Sequence, residues 1–171
     1  MSRLLVIFFG VGLLRPAPGT WGSAAALLLG MGILQLGGFP SLVLATGLVT
    51  ALGFWACGVE LRPGQDPSEV VIDEVAGQWV AMLFTAFAFW ARGFPTTGFW
   101  SSGHLGLLPW PAWVFPFALF RLFDIWKPWV IGRADRRKDV AGVMLDDLWA
   151  GLFAGITTVI LAALYYATLL V

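Results

Sequence analysis

Residues 66–84 read DPSEVVIDEVAGQWVAMLF, and the fold turns on how that stretch is read. Four carboxylates, Asp66, Glu69, Asp73 and Glu74, lead into an apolar run whose next charged residue is Arg92. A surface helix of a water-soluble domain keeps a polar face along its whole length. This segment keeps one only at its start, so it reads as a helix that leaves a polar boundary and enters a bilayer. Asp66 and Pro67 fit the N-cap and N1 positions, with Glu69 in the first turn, where the helix dipole favours a negative charge. Capping does not account for Asp73 and Glu74, which lie deeper. Glu69, Asp73 and Gly77 share a face at i, i+4 and i+8, and Gly77 lets a second helix approach closely.

The rest of the chain agrees with a membrane setting. Of 171 residues, 59% are hydrophobic and 12% charged, with mean hydropathy +0.85. A soluble domain carries about 25% charged and about 45–50% apolar residues. The net charge of zero speaks against a nucleic-acid binder, whose footprint is a basic face. Cys57 is the sole cysteine, which leaves no disulfide framework and no thiolate metal site. It is no thiol-phosphatase nucleophile either, because position 63, where that loop needs Arg, is Pro.

Residues 4–14 are apolar after Arg3 but too short to span, and no small-residue cleavage pattern follows. They read as a re-entrant or interfacial helix. Stretches 23–39, 41–59, 70–91, 111–131 and 140–171 read as spans, the fourth broken near Pro116 and Pro128. The expected architecture is therefore an all-α integral membrane protein, a bundle of about five transmembrane helices in a single domain over 1–171. With the N-terminus inside, inner links hold Arg3, Arg15, Arg62, Arg133, Arg136, Arg137 and Lys138, and outer links hold Arg92 alone. That asymmetry fixes the orientation. Every carboxylate then lies at or near the cytoplasmic end of a span, while His104 falls in the outer link. Tryptophans at 100, 110, 113, 126 and 129 flank span ends and read as an interfacial belt.

Three further blocks join the first. In FRLFDIWKPW (120–129), Arg121, Asp124 and Lys127 repeat at i, i+3 and i+6, either as a self-neutralising strip or as anion-binding groups. In DVAGVMLDDLWAG (139–151), Asp146 and Asp147 are embedded in an apolar helix, flanked by Gly142 and Gly151. In APGTWGS (17–23), Gly19 and Gly22 permit tight turns while Thr20 and Ser23 suit a helix start. That block is either an ordinary cap or a phosphate cradle made of free N–H groups and the positive dipole end.

A charge in mid-membrane costs about 2.5–3.5 kcal/mol on insertion scales. Asp73, Glu74, Asp124, Asp146 and Asp147 left unpaired would cost roughly 5–15 kcal/mol, comparable to the stability of a domain. Arg121 and Lys127 balance two of them, and a divalent cation balances the rest. Oxygen-only ligation without His or Cys suits magnesium, calcium or manganese rather than zinc.

In these blocks the chain resembles the phosphatidylglycerophosphatase A family. The resemblance rests on PGTWGS (18–23), DPSEVVIDEVAGQW (66–79), FRLFDIWKPWVIGRADR (120–136) and GVMLDDLWAG (142–151), in that order. It implies a bacterial inner-membrane enzyme that removes the terminal phosphate of phosphatidylglycerophosphate with Mg2+, giving phosphatidylglycerol. On that footing Asp73, Glu74, Asp146 and Asp147 are expected to hold one or two magnesium ions, with Glu69 and Asp124 as further ligands. Lys127, with Arg121 or Arg133, is expected to bind the phosphate over Gly19, Thr20, Gly22 and Ser23. Asp73, Asp124, Lys127 and Asp146 are the expected catalytic residues, Asp124 either as that further ligand or as the group that orients water. The attacking species stays open between water and a carboxylate. Two other readings stand beside this one: a phosphatase or phosphotransferase for another phospholipid, and a small ion-coupled transporter.

Overall fold

The computed structural model describes residues 1–62, 64–65, 67–97 and 111–169. Among them all regular structure is helical: α1 (Ser2–Val6), a 3-10 segment (Phe8–Leu13), α2 (Pro18–Glu60), α3 (Ile72–Trp90), α4 (Pro111–Trp126), α5 (Trp129–Asp135) and α6 (Val140–Leu169). Asp66, His104, Trp100 and Trp110 lie outside the described residues, so the capping role expected of Asp66 and the outer-link position of His104 do too.

A straight 43-residue helix would be about 65 Å long, twice the hydrocarbon thickness of a bilayer. Instead α2 folds back on itself. Its first arm passes Val71 at Gly22, Met82 at Gly30 and Thr96 at Gly38, and its second arm returns to Ile72 and Met144 at Gly53. The reversal is at Gly38 (φ 69°, ψ −166°), a backbone region that residues with a Cβ hardly populate. The first N–H after the bend, that of Phe39, donates to Thr96 Oγ1 at 2.9 Å, and the Phe39 ring stacks on Trp90 at 5.3 Å. The two spans expected at 23–39 and 41–59 are thus the arms of one helical hairpin.

Helix α3 starts at Ile72, five residues later than Asp66–Pro67 suggests. Tertiary contact overrides the local signal: the Val71 N–H, which a helix begun at Pro67 would use internally, donates to the Val6 carbonyl at 2.8 Å. Val70 and Val71 are buried there, and Gly12 packs on the Glu69 carbonyl. The N-terminal segment, a five-residue helix followed by a 3-10 turn rather than one 11-residue helix, therefore clamps the start of α3.

The most enclosed helix is α3, with the α2 hairpin on one side and α4 and α6 on the other. Trp79 Nε1 donates to the Ala26 carbonyl at 2.7 Å on the α2 side. On the other side Gly77 faces the Asp147 carbonyl and the Phe120 ring, and Gly151 faces the Gly77 carbonyl. Two glycines thus bring the α3 and α6 backbones into contact, over a small core of Ala81, Phe120, Ile131, Ala150 and Ala154. Pro116 is accommodated inside α4 without ending it, whereas the chain turns sharply at Lys127–Pro128 into α5. Lys127 and Trp129 both take left-handed backbone angles (φ 49° and 48°), and Gly132 packs on the Lys127 carbonyl.

Three helices, α2, α3 and α6, are long and apolar enough to cross a bilayer. Helix α4 ends at Trp126, five residues before the end of the expected 111–131 span, and the remainder of that stretch belongs to the Lys127–Pro128 corner and α5.

Candidate active site

A cavity of about 410 Å³ opens where the start of α2, the 67–70 turn, the end of α4 and the acidic turns of α3 and α6 meet. Its wall carries Asp73, Glu74, Asp124, Asp146 and Asp147, the cations Arg121 and Lys127, and Gly19 and Thr20.

The acids converge because the Gly77–Gly151 contact places the first turn of α3 beside the second turn of α6. Carboxylate oxygens of Asp73, Glu74 and Asp147 lie within 4.8 Å of one another, as do those of Asp124, Asp146 and Asp147. Asp147 belongs to both groups. In each adjacent pair the first acid accepts the backbone N–H of the second at 3.0 Å, Glu74 N–H to Asp73 Oδ1 and Asp147 N–H to Asp146 Oδ1. Those bonds fix one oxygen of Asp73 and one of Asp146. Asp73, Asp146 and Asp147 are buried, and Glu74 Oε2 is buried with no hydrogen-bond partner among the described residues. Burying anions this close together is unfavourable unless a cation joins them.

Two side chains supply positive charge. Arg121 Nη1 lies 3.0 Å from Asp124 Oδ2 and donates to Ser23 Oγ at 3.2 Å. Lys127 Nζ lies 2.7 Å from Asp146 Oδ2 and 2.5 Å from Asp135 Oδ1. The strip expected at 121, 124 and 127 is therefore split: Arg121 pairs with Asp124, while the left-handed corner turns Lys127 towards α5 and α6.

Helix α2 begins at Pro18 behind Ala17, which has no capping side chain. The first N–H to bond back is that of Trp21, to the Ala17 carbonyl at 3.1 Å. The N–H groups of Gly19 and Thr20 thus have no intrahelical acceptor, and both residues line the cavity. A Cβ at Gly19 would meet Glu74 Oε1 at 2.1 Å, so the helix start and the acid cluster touch.

Four expected site residues lie elsewhere. Glu69 forms an ion pair with Arg3 and joins neither acid group, because the late start of α3 turns it away from the face of Asp73. Arg133 is exposed on α5 and does not line the cavity. Gly22 packs on Val71 behind the wall. Ser23, fully buried, donates to the Gly19 carbonyl at 2.8 Å and accepts from Arg121, so it supports the wall without lining it. Conversely, sequence reading assigns nothing to Asp135, which holds Lys127. It sits inside GRADRRKD, where four neighbouring cations make it look like part of a charged link. Its distance of eight residues from Lys127, across a proline corner, is the only local hint.

The family model described as PgpA, Phosphatidylglycerophosphatase A, matches residues 4–162. A Haemophilus influenzae protein named Phosphatidylglycerophosphatase A is 33% identical over 156 residues, covering 89% of this chain and 83% of that protein. The Escherichia coli K12 protein of the same name is 32% identical over 159 residues, covering 89% and 78%. A Bacteroides thetaiotaomicron protein, provisionally named a phosphatidylinositol-3-phosphatase, is 33% identical over 151 residues, covering 85% and 84%. No solved structure matches the chain. A match over nearly the whole length, on a chain whose acids, cations and helix start line one cavity, sets aside the transporter reading. The chain belongs to the phosphatidylglycerophosphatase A family and is a hydrolase of phosphate monoesters.

Proposed function

We propose that the protein is a magnesium-dependent lipid phosphatase that converts phosphatidylglycerophosphate to phosphatidylglycerol and phosphate, a step of phospholipid biosynthesis. The observation that carries this reading is the pair of carboxylate groups sharing Asp147, in one cavity with Lys127 and the open start of α2.

The residues fit a hard divalent cation. The donors are all oxygen, five acids line the wall against two cations, and Glu74 Oε2 is buried without a partner. Asp73, Glu74 and Asp147 would hold one magnesium ion, and Asp146 with Asp147 would reach a second, with Asp124 beside it left to act on water. When bound, the metal supplies positive charge that offsets the charge of the phosphoryl oxygens. The chain's own groups do the remainder. The N–H groups of Gly19 and Thr20 and the ammonium of Lys127 bind the terminal phosphate, whose charge the α2 dipole also favours. Arg121 holds Asp124 in place, and Asp124 orients the attacking water and takes its proton. The new bond joins the water oxygen to phosphorus. The bond from phosphorus to the glycerol oxygen breaks, and that oxygen leaves with a proton returned from the cavity wall.

The reading includes a topology: five traverses made by the two α2 arms, α3, α4 and α6, with the N-terminus and the cavity on the cytoplasmic side of a bacterial inner membrane. Gly22 and Gly53 of the two arms both reach the level of Val71–Ile72, so the basic links at 3–15, 62 and 133–138 gather at the cavity end. The Gly64 N–H donates to the Lys138 carbonyl at 3.1 Å, which ties two of those links together.

The name of the Bacteroides relative favours a second reading, in which the site takes another phosphorylated lipid. Purified protein in detergent, given phosphatidylglycerophosphate, phosphatidylinositol 3-phosphate and phosphatidic acid in parallel, decides between them. Phosphate release fastest from phosphatidylglycerophosphate and abolished by chelator is the expected result. Preference for another lipid would overturn the substrate, and release unaffected by chelator would overturn the metal.

A further inference from the structure

Lys127 stands on a corner that side-chain-bearing residues disfavour: it and Trp129 are both left-handed on either side of Pro128. A lysine is a compact charge on a flexible four-carbon stem, so the backbone alone does not place its ammonium. Two carboxylates do, Asp146 Oδ2 at 2.7 Å and Asp135 Oδ1 at 2.5 Å. They differ in kind. Asp146 lines the cavity and belongs to an acid group, while Asp135, the last residue of α5, does neither.

We propose that Asp135 is a positioning residue for Lys127, a role that rests on the reading of Lys127 as a phosphate-binding group. Asp146 has two oxygens; one accepts the Asp147 N–H and the other is the oxygen Lys127 uses. Any demand on Asp146 from the rest of the cluster competes with its hold on the ammonium. Asp135 faces no such competition among the described residues, and keeps Lys127 directed at the cavity whatever Asp146 is doing. It is anchored for this: Gly132, one turn before it on α5, packs against the Lys127 carbonyl, and α5 packs against α6, where the Ala134 carbonyl faces Gly142.

The test is steady-state phosphate release from phosphatidylglycerophosphate by purified enzyme with magnesium, with inorganic phosphate as the competing probe. Asp135→Asn is expected to raise KM and the phosphate inhibition constant together by about tenfold while kcat stays within about threefold. Asp135→Glu, which keeps the charge but moves it by one methylene, raises both constants by about threefold. In a Lys127→Met background, Asp135→Asn adds nothing further, because the two changes remove one interaction. A merely structural aspartate would lower the melting temperature and leave both constants unmoved. Unchanged constants in Asp135→Asn, or effects that add to Lys127→Met, overturn the proposal. If Asp135→Asn does not fold, unchanged constants in Asp135→Glu overturn it. A wild-type enzyme that releases no phosphate from this lipid would instead defeat the proposed function, so the two failures are distinct.

Discussion

Asp147 is the residue on which the site depends most, because it is common to both carboxylate groups and lies buried against the α3 backbone. Removing its charge has opposite effects on function and on stability without metal. Asp147→Asn is expected to lower phosphate release by at least about 100-fold, as losses around metal sites do. In chelator, thermal unfolding of the same variant is expected at or above the wild-type temperature, since one buried anion among anions is gone. Melting well below wild type in chelator would mean that Asp147 holds the fold rather than a cation. The acids of this cluster were legible in the sequence because an apolar context makes a carboxylate conspicuous. Asp135 was not, because its partner lies across a corner and its neighbours are cations. Glu69 misled for the opposite reason: its helical spacing to Asp73 was sound, but the helix does not extend back that far, and Arg3, 66 residues away in sequence, takes it.

Among the elements, the contact between α3 and α6 sets the site. A Cβ at Gly151 would lie 2.2 Å from the Gly77 carbonyl, and backbone at that distance has no flexible end to move aside. Gly151→Ala is expected to push the helices apart and cost about 1–3 kcal/mol despite the better helix propensity of alanine. Activity would fall by more than about tenfold, as small misplacements of a site do; unchanged melting and turnover would remove the crossing from the account. The start of α6 offers a second check. Asp139 Oδ1 accepts the Gly142 N–H at 2.7 Å and its Oδ2 pairs with Arg137 at 2.9 Å, so Asp139 is the N-cap. The hydrogen bond and ion pair with Arg137, then the Gly142 N–H, hold its carboxyl below the ordinary value. A lowered folded value gives stability that is present above the unfolded value and is lost as pH falls through the folded one. Asp139→Ala is therefore expected to melt below wild type at neutral pH, with the gap closing as the solution is acidified into that window. Differential scanning fluorimetry across pH reads it; a gap independent of pH would exclude the cap. Helix existence was legible from apolar runs, whereas the start of α3 was not, because the acceptor for the Val71 N–H is Val6, a contact that no local pattern contains.

At the scale of the whole molecule, sequence segments more than 70 residues apart meet in one cavity. Asp73 and Asp147 are neighbours only because the α2 hairpin reverses at Gly38, the N-terminal segment clamps the start of α3, and α6 crosses α3 at two glycines. The uneven spread of basic residues among the links, with Arg92 alone on the expected outer side, is what led the sequence reading to expect these segments on one side of a membrane. The expected spans at 23–39 and 41–59, with their short link at 37–40, match the reversal at Gly38; what that reading did not show is that helical backbone runs up to the turn on both sides, because a single glycine angle makes it. The central claim is that this convergence forms a divalent-cation site. It is tested most directly by titrating metal-stripped protein in detergent with Mn2+ and following free Mn2+ by its electron paramagnetic resonance signal. The wild-type chain is expected to take up Mn2+ that Mg2+ displaces, and Asp147→Asn, folded by melting analysis, is expected to take up far less at the same concentrations. Uptake by Asp147→Asn equal to that of wild type, or no uptake by the wild-type chain, would contradict the account.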